Sequence, residues 1–503
     1  MPEVGWMTWP VRTAIAVGAV LLILALPSSR GYPGHLAARG SAVATQPTQA
    51  MQPTQTMQPP RTTEPMQATA PPQATPPPAA ASAGDFAAVA KLMNNAVAAN
   101  RLPGAVVVIG HGGEVVFHQA FGSRKLAGEQ GLDGSPAPAE PMTEDTIFDL
   151  ASLTKCLATA IAVMQLYEQG NVGFDDPVQN YLPEFNAAND PQRARVTLRM
   201  LLTNTSGEPI DVNLGDPWGL DGPDKAEGIR RALTTPLQSG PGEVFRYSDI
   251  NFLLLGALLE KITGQPEDVY VEHNVFEPLG MQDTRYLPPA SLLPRIAPTA
   301  LDEENRADPS KNPDYGHLLR GAVHDPTARR MGGVAGNAGV FATAHDVSIF
   351  AQALLDRLAG RPSDFPLQQA TVEVMTTPQQ PGHSARQLQA ANEADRRAGA
   401  PHYPAINGEN LFGFGWDIDT PFSRPRGSIF PVGSFGNTGF TGTTLWLDPE
   451  SDTYVILLSN AIHVRGSSPI SDLRGEVATE AARGLGLYGS APSSPTPKPV
   501  RQH

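Results

Sequence analysis

Strand-forming runs stand at both ends of the apolar part of this chain, and helical runs fill the middle. Ala105 to Ile109 and Glu114 to Gln119 are rich in β-branched and aromatic residues, and His111-Gly112-Gly113 between them reads as a hairpin. Far downstream, Gly413 to Ile418, Thr443 to Leu447 and Thr453 to Leu458 are again strand-like, with Asp448-Pro449-Glu450-Ser451-Asp452 as a turn. The middle reads as helix: Ser152 to Gln169 stops at Gly170, and Ile250 to Ile262 follows Ser248-Asp249 and stops at Thr263-Gly264. Thr343-Ala344-His345-Asp346 resembles a capping box ahead of Val347 to Leu355, and Ser471 to Leu485 reads as a closing helix. This distribution implies an α+β class, with one antiparallel sheet built from both ends, flanked by helices, plus a mainly helical lobe.

The remaining segments set the boundaries. Arg12 precedes an apolar run from Thr13 to Leu26 that Pro27-Ser28-Ser29 ends, short for a membrane span and right for the core of a signal peptide. Residues 1–30 are therefore expected to be a signal peptide or an uncleaved N-terminal anchor. Export follows in either case, to a periplasmic or extracellular location. Residues 31–84 are rich in Pro, Gln, Thr and Ala and are expected to be a disordered linker; the tail 488–503 reads likewise. Residues 85–487 form the expected globular domain, interrupted by a polar stretch from Pro381 to Asn410 that reads as a surface insertion. The net charge of −14 argues against nucleic acid or an anionic membrane surface as partner. Cys156 is the only cysteine, which excludes an intramolecular disulfide and a lipoprotein-type cysteine near the N-terminus. No paired-cysteine or His-Glu-x-x-His spacing occurs, so no metal and no cofactor are expected.

The chemistry concentrates in three short motifs. In the first, Ser152-Leu153-Thr154-Lys155 puts a hydroxyl and an amine three residues apart, on one helix face about a turn from each other. A serine is a weak nucleophile until a base takes its proton, and a lysine neutralised by burial can be that base. A structural reading also exists, with Ser152 only capping a helix and Lys155 only solvated. The second motif is Tyr247-Ser248-Asp249 and the third Asn437-Thr438-Gly439, which taken singly are a helix start and a plausible turn.

In this order, and with the flanks Pro103-Gly104, Leu201-Leu202-Thr203-Asn204-Thr205-Ser206-Gly207 and Gly240-Pro241-Gly242, the chain resembles the β-lactamases and penicillin-binding proteins. It is most similar to the branch holding class C β-lactamases, esterases and D-alanyl carboxypeptidase-like enzymes. That family pairs Ser-x-x-Lys with Tyr-Ser/Ala-Asn and Lys/His-Thr-Gly motifs. The resemblance implies a β-lactamase/transpeptidase-like fold with a cleft between two lobes. It implies Ser152 as nucleophile, Lys155 as base, Tyr247 as proton relay, and the backbone N–H groups of Ser152 and Phe440 as oxyanion hole. Asp249, Asn437, Thr438 and Gly439 would line the substrate, and the glycine would let that strand approach it closely. Val323 to Ala328 is a further candidate lining segment.

Two residues depart from the family pattern. Asn437 stands where Lys or His would bind a carboxylate, and Asp249 replaces an asparagine, adding negative charge that should raise the Lys155 pKa and repel anions. Both favour a serine hydrolase acting on a neutral ester or amide, cell-wall-derived peptides included. The competing readings are a true β-lactamase or D,D-carboxypeptidase, and a catalytically silent relative that binds a ligand in the same cleft. The intact Ser152, Lys155 and Tyr247 argue against the last.

Overall fold

The structure is a computed structural model that describes residues 85–380, 386–387, 390, 393, 402–406, 408–464 and 469–490. By internal contact the chain divides after Pro77, and its first unit, Met1–Pro77, lies outside the described residues. So do the expected export segment, the Pro/Gln/Thr-rich linker, nearly all of the tail and most of the polar stretch from Pro381 to Asn410.

Five helices pack on the sheet or carry the motifs: α1 (Ala87–Ala98), α2 (Ala160–Glu168), α3 (Asp249–Thr263), α4 (Ala344–Leu358) and α5 (Ser471–Gly484). Eight strands form one antiparallel sheet. Its N-terminal members are β1 (Gly104–His111), β2 (Glu114–Lys125) and β3 (Glu140–Pro141). A separate small sheet joins β4 (Ile147–Asp149), β5 (Arg285–Tyr286) and β6 (Val340–Thr343). The C-terminal members of the large sheet are β7 (Leu411–Phe412), β8 (Asp417–Asp419), β9 (Phe435–Thr438), β10 (Thr444–Asp448) and β11 (Thr453–Ser459). The order β3-β2-β1-β11-β10-β9-β8-β7 joins the two ends of the domain at the β1–β11 seam, with Val107 opposite Leu457.

Alternation along these strands feeds two cores. Val107, Ile109, Trp446 and Leu457 face α1 and α5 and pack with Val89, Met93, Leu473 and Val477. Val106, Val108, Leu445 and Ile456 point the other way, into the larger core shared with α2, α3 and α4. All are essentially out of water, and each such aliphatic side chain contributes roughly 1.5–3 kcal/mol. The expected α+β architecture, one sheet from two termini plus a helical lobe, is the architecture found.

Local departures have local causes. The run Gly413 to Ile418, expected as one strand, folds back between β7 and β8, because the Gly413 N–H donates to Trp416 O at 2.7 Å and Gly415 takes φ +83°. In the capping box only half the exchange forms. Thr343 caps the Asp346 N–H at 3.1 Å, but the Asp346 carboxylate turns to Asp283 N and Thr284 Oγ1, both at 2.8 Å. The helix expected from Ser152 begins after it. Lys155–Thr159 forms one widened π-type turn before α2, and Gly170 ends the run at φ +73° as expected.

Candidate active site

The Ser152–Lys155 motif hangs from a strained turn. Ala151 holds φ +47°, a conformation a non-glycine residue keeps only when its surroundings enforce it. The enforcement is visible: the Ala151 N–H donates to Asp149 Oδ1 at 2.9 Å, and Asp149 Oδ2 accepts the His324 N–H at 2.7 Å. Thr441 Oγ1 donates to Asp149 O at 2.8 Å and Thr443 Oγ1 to Leu150 O at 2.9 Å. Burial pushes the Asp149 carboxyl up to about 6, against the pull of those two N–H donors. Asp149, Thr441 and Thr443 were not legible as functional in the sequence, since no motif marks them and their hydrogen bonds to the turn before Ser152 form only in the folded chain.

Lys155 is 1% exposed; its ammonium donates to Ser152 Oγ at 3.0 Å and Asn337 O at 2.9 Å and forms an ion pair with Asp249 Oδ1 at 2.6 Å. The Tyr247 hydroxyl donates to Ser152 Oγ at 2.7 Å, with its ring centroid 5.0 Å from Lys155 Nζ. Burial disfavours the charged lysine, but the Asp249 carboxylate and the Tyr247 phenol outweigh it, so its pKa stands above the ordinary value. Burial and the Asp249 charge push the Tyr247 phenol up to about 12, although Lys155 pulls the other way. Burial likewise raises Asp249, offset by its ion pair with Lys155 and reinforced by Asp325. Asp249 thus contacts the lysine directly; the sequence reading grouped it with the substrate-lining residues and expected its charge to raise the Lys155 pKa.

Tyr247 is braced by the Leu201–Gly207 segment. Asn204, at φ +58°, offers Oδ1 to the Ser248 N–H at 3.2 Å and to Asn251 Nδ2 at 3.0 Å, while its carbonyl takes the Arg246 N–H at 2.8 Å. Ser206 Oγ donates to Asn251 Oδ1 at 2.6 Å, which completes a buried network at the start of α3.

The third motif ends β9 beside the nucleophile turn. Asn437 is largely buried and its Nδ2 donates to Gly415 O at 2.9 Å, while its Oδ1 accepts the Thr438 N–H at 2.8 Å. Half-buried Thr438 pairs with Thr444 across β10. A Cβ on Gly439 would overlap Leu150 O and crowd Ala151. The glycine is therefore required by the chain's own turn at Leu150-Ala151. Phe440 follows with its side chain exposed and its ring 5.7 Å from the His324 ring. Burial, with Arg329 adding to it, pushes His324 down to about 4, so the imidazole is neutral at ordinary pH. Among the described residues no three His, Cys, Asp or Glu side chains converge as metal ligands would, and no helix is long and apolar enough to cross a membrane.

Known proteins resemble this chain in sequence and fold. The chain is 31% identical over 374 residues to an Escherichia coli K12 protein named as a candidate D-alanyl-D-alanine carboxypeptidase, covering 71% of this chain and 77% of that one. The octameric penicillin-binding protein homologue from Pyrococcus abyssi superposes with a TM-score of 0.56 at 22% identity, over 80% of this chain and 78% of its own. EstCE1, a hydrolase with promiscuous acyltransferase activity, gives 0.54 at 23% identity, over 78% of this chain and 97% of its own. Those likenesses establish the fold. The family model described as Beta-lactamase matches residues 89–472, and the chain belongs to that family of serine-hydrolase-like proteins.

Proposed function

We propose that this protein is an exported serine hydrolase that cleaves a neutral ester or amide through an acyl-enzyme on Ser152. The observation that carries the reading is the convergence of Lys155 Nζ and Tyr247 Oη on Ser152 Oγ, at 3.0 and 2.7 Å. The reacting form is the one in which Lys155 has lost its proton. It then accepts the proton of Ser152 as Oγ adds to the carbonyl carbon, and the oxyanion is held by the backbone N–H groups of Ser152 and Phe440. Tyr247 relays the proton to the departing alcohol or amine, and water deacylates the serine by the same route in reverse.

Charge supports a neutral substrate. Asn437 brings no cation and commits its amide to Gly415 O, and Asp249 sets a carboxylate against the base. A substrate carboxylate would lose a charge-assisted contact of roughly 1.5–3 kcal/mol, about one to two orders of magnitude in specificity. The carboxypeptidase reading has the name of the E. coli relative in its favour, and it requires the opposite preference. Intact-protein mass spectrometry with p-nitrophenyl acetate should reveal an acetyl adduct that is absent in Ser152→Ala, whose turnover falls by at least about 10³-fold. Wild type should prefer this ester to a chromogenic cephalosporin, and Asn437→Lys should raise kcat/KM for the cephalosporin selectively. Strong wild-type cephalosporin hydrolysis that Asn437→Lys leaves unchanged would refute the substrate assignment. Ester turnover by Ser152→Ala at the wild-type rate would refute the nucleophile.

A further inference from the structure

A guanidinium stands behind the third motif. Arg474, on α5, reaches across to the end of β9 and donates from Nη2 to Gly439 O at 2.8 Å. Its Nε is shut off from water and has no hydrogen-bond partner among the described residues. Burial alone pulls its pKa down to about 10, with no acid among the described residues pulling it back. A part-buried arginine without a carboxylate among the described residues loses hydration and recovers little of it through an ion pair, which makes the acceptor it does reach significant.

That acceptor shares a peptide unit with the Phe440 N–H. The unit is planar and trans, so its carbonyl and its N–H point in opposite directions. A cation bound on the carbonyl side draws electron density from the unit and makes the N–H a stronger donor, as hydrogen bonds in a chain polarise one another. The same contact fixes the plane. Gly439 is held from two further sides, its own N–H donating to Thr443 O at 2.8 Å and its Cα packed against the Leu150 carbonyl. Arg474 thus couples the C-terminal helix to the strand end beside Ser152, a link that no sequence spacing announces.

We propose that Arg474 is a positioning residue of the oxyanion site, orienting and polarising the Gly439–Phe440 peptide so that its N–H binds the oxygen that becomes negative. In the step it serves, the Ser152 Oγ–carbon bond forms as the serine proton passes to neutral Lys155. The carbonyl π pair moves onto oxygen and is received by the two N–H groups. Collapse re-forms the carbonyl and expels the alcohol, which receives the proton through Tyr247. This rests on the serine-hydrolase reading above.

Arg474→Lys, Arg474→Gln and Arg474→Met in the full chain test it, with p-nitrophenyl acetate as substrate and phenylboronic acid as a probe that forms a tetrahedral adduct on the serine. Arg474→Gln and Arg474→Met should lower kcat by about tenfold with KM within about twofold, a fraction of the 10²–10³ seen when an oxyanion donor is removed outright. Phenylboronate affinity should fall by the same factor, and Arg474→Lys, which keeps a cation near the carbonyl, should recover part of both. If Arg474→Met fails to fold, the Lys and Gln variants carry the comparison. Folded Arg474→Gln with kcat and boronate affinity within twofold of wild type would overturn the proposal. So would a loss confined to carboxylate-bearing substrates, which would make Arg474 an anion anchor instead. A wild-type protein that neither turns over the ester nor binds phenylboronate would refute the hydrolase reading itself, a result distinct from an unaffected variant.

Discussion

At the scale of single residues, Asp249 sets the behaviour of the site. Its carboxylate, 2.6 Å from Lys155 Nζ, holds the lysine in the form that cannot take a proton from Ser152. Activity should therefore climb with pH well past neutrality. Removing one charge at that distance is worth more than one pKa unit at any reasonable protein dielectric. The ascending limb of kcat/KM against pH should accordingly move down by at least about one unit in Asp249→Asn. A limb that stays where it was, with activity retained, would take Lys155 out of the role of base. The presence of this aspartate and the sign of its effect on the lysine were legible in the sequence as a departure from the Tyr-Ser-Asn pattern; its direct contact with the lysine was not. Asn437 shows the opposite case. Its lack of charge was readable, but its commitment to Gly415 O depends on the turn that leads into the neighbouring strand β8.

At the scale of elements, the site is the meeting of a strained turn with a strand end. Ser152 comes forward because Ala151 is held at φ +47° by Asp149 from below and by Thr443 and Gly439 from the side. Gly439→Ala would drive a methyl group into Leu150 O, and the backbone of either the strand or the turn would have to shift. A displacement of about 1 Å at reacting atoms costs on the order of 10²-fold in rate. Ester turnover in Gly439→Ala should fall by about that much while far-ultraviolet circular dichroism stays at the wild-type level. Retention of more than a tenth of the activity would mean that the contact is not needed. The helices themselves were predictable from their punctuation, glycine at both Gly170 and Gly264 in the left-handed region. The hairpin within Gly413 to Ile418 was missed because its apolar residues, Phe414 and Trp416, are both buried and mimic a strand.

At the scale of the whole molecule, burial of acids sets a pH dependence of stability. Burial pushes Glu208 and Asp211 up to about 8, and Glu267 and Asp417 to about 7. A carboxyl whose pKa is higher folded than unfolded binds more protons in the native state, so its contribution is greatest at low pH and declines as pH rises through the folded value. His324, pulled down to about 4, acts in the opposite sense, but only up to its unfolded value near 6.5. Above that pH His324 no longer offsets these four acids, each pKa unit of which is worth at most about 1.4 kcal/mol. The melting temperature should fall by about 5 °C or more between pH 6.5 and pH 8.5, as read by scanning calorimetry. A flat or rising curve would contradict the burial of these groups. By itself the sequence determined the α+β class, the helix ends and three motifs, because periodicity, capping and residue chemistry are local. Tertiary structure alone decided which groups would touch. The Asp249–Lys155 pair, the Asp149 brace under the nucleophile and Arg474 behind Gly439 join residues distant along the chain or set by a single turn. Their strength comes from desolvation, a property of the packed interior that no local pattern encodes.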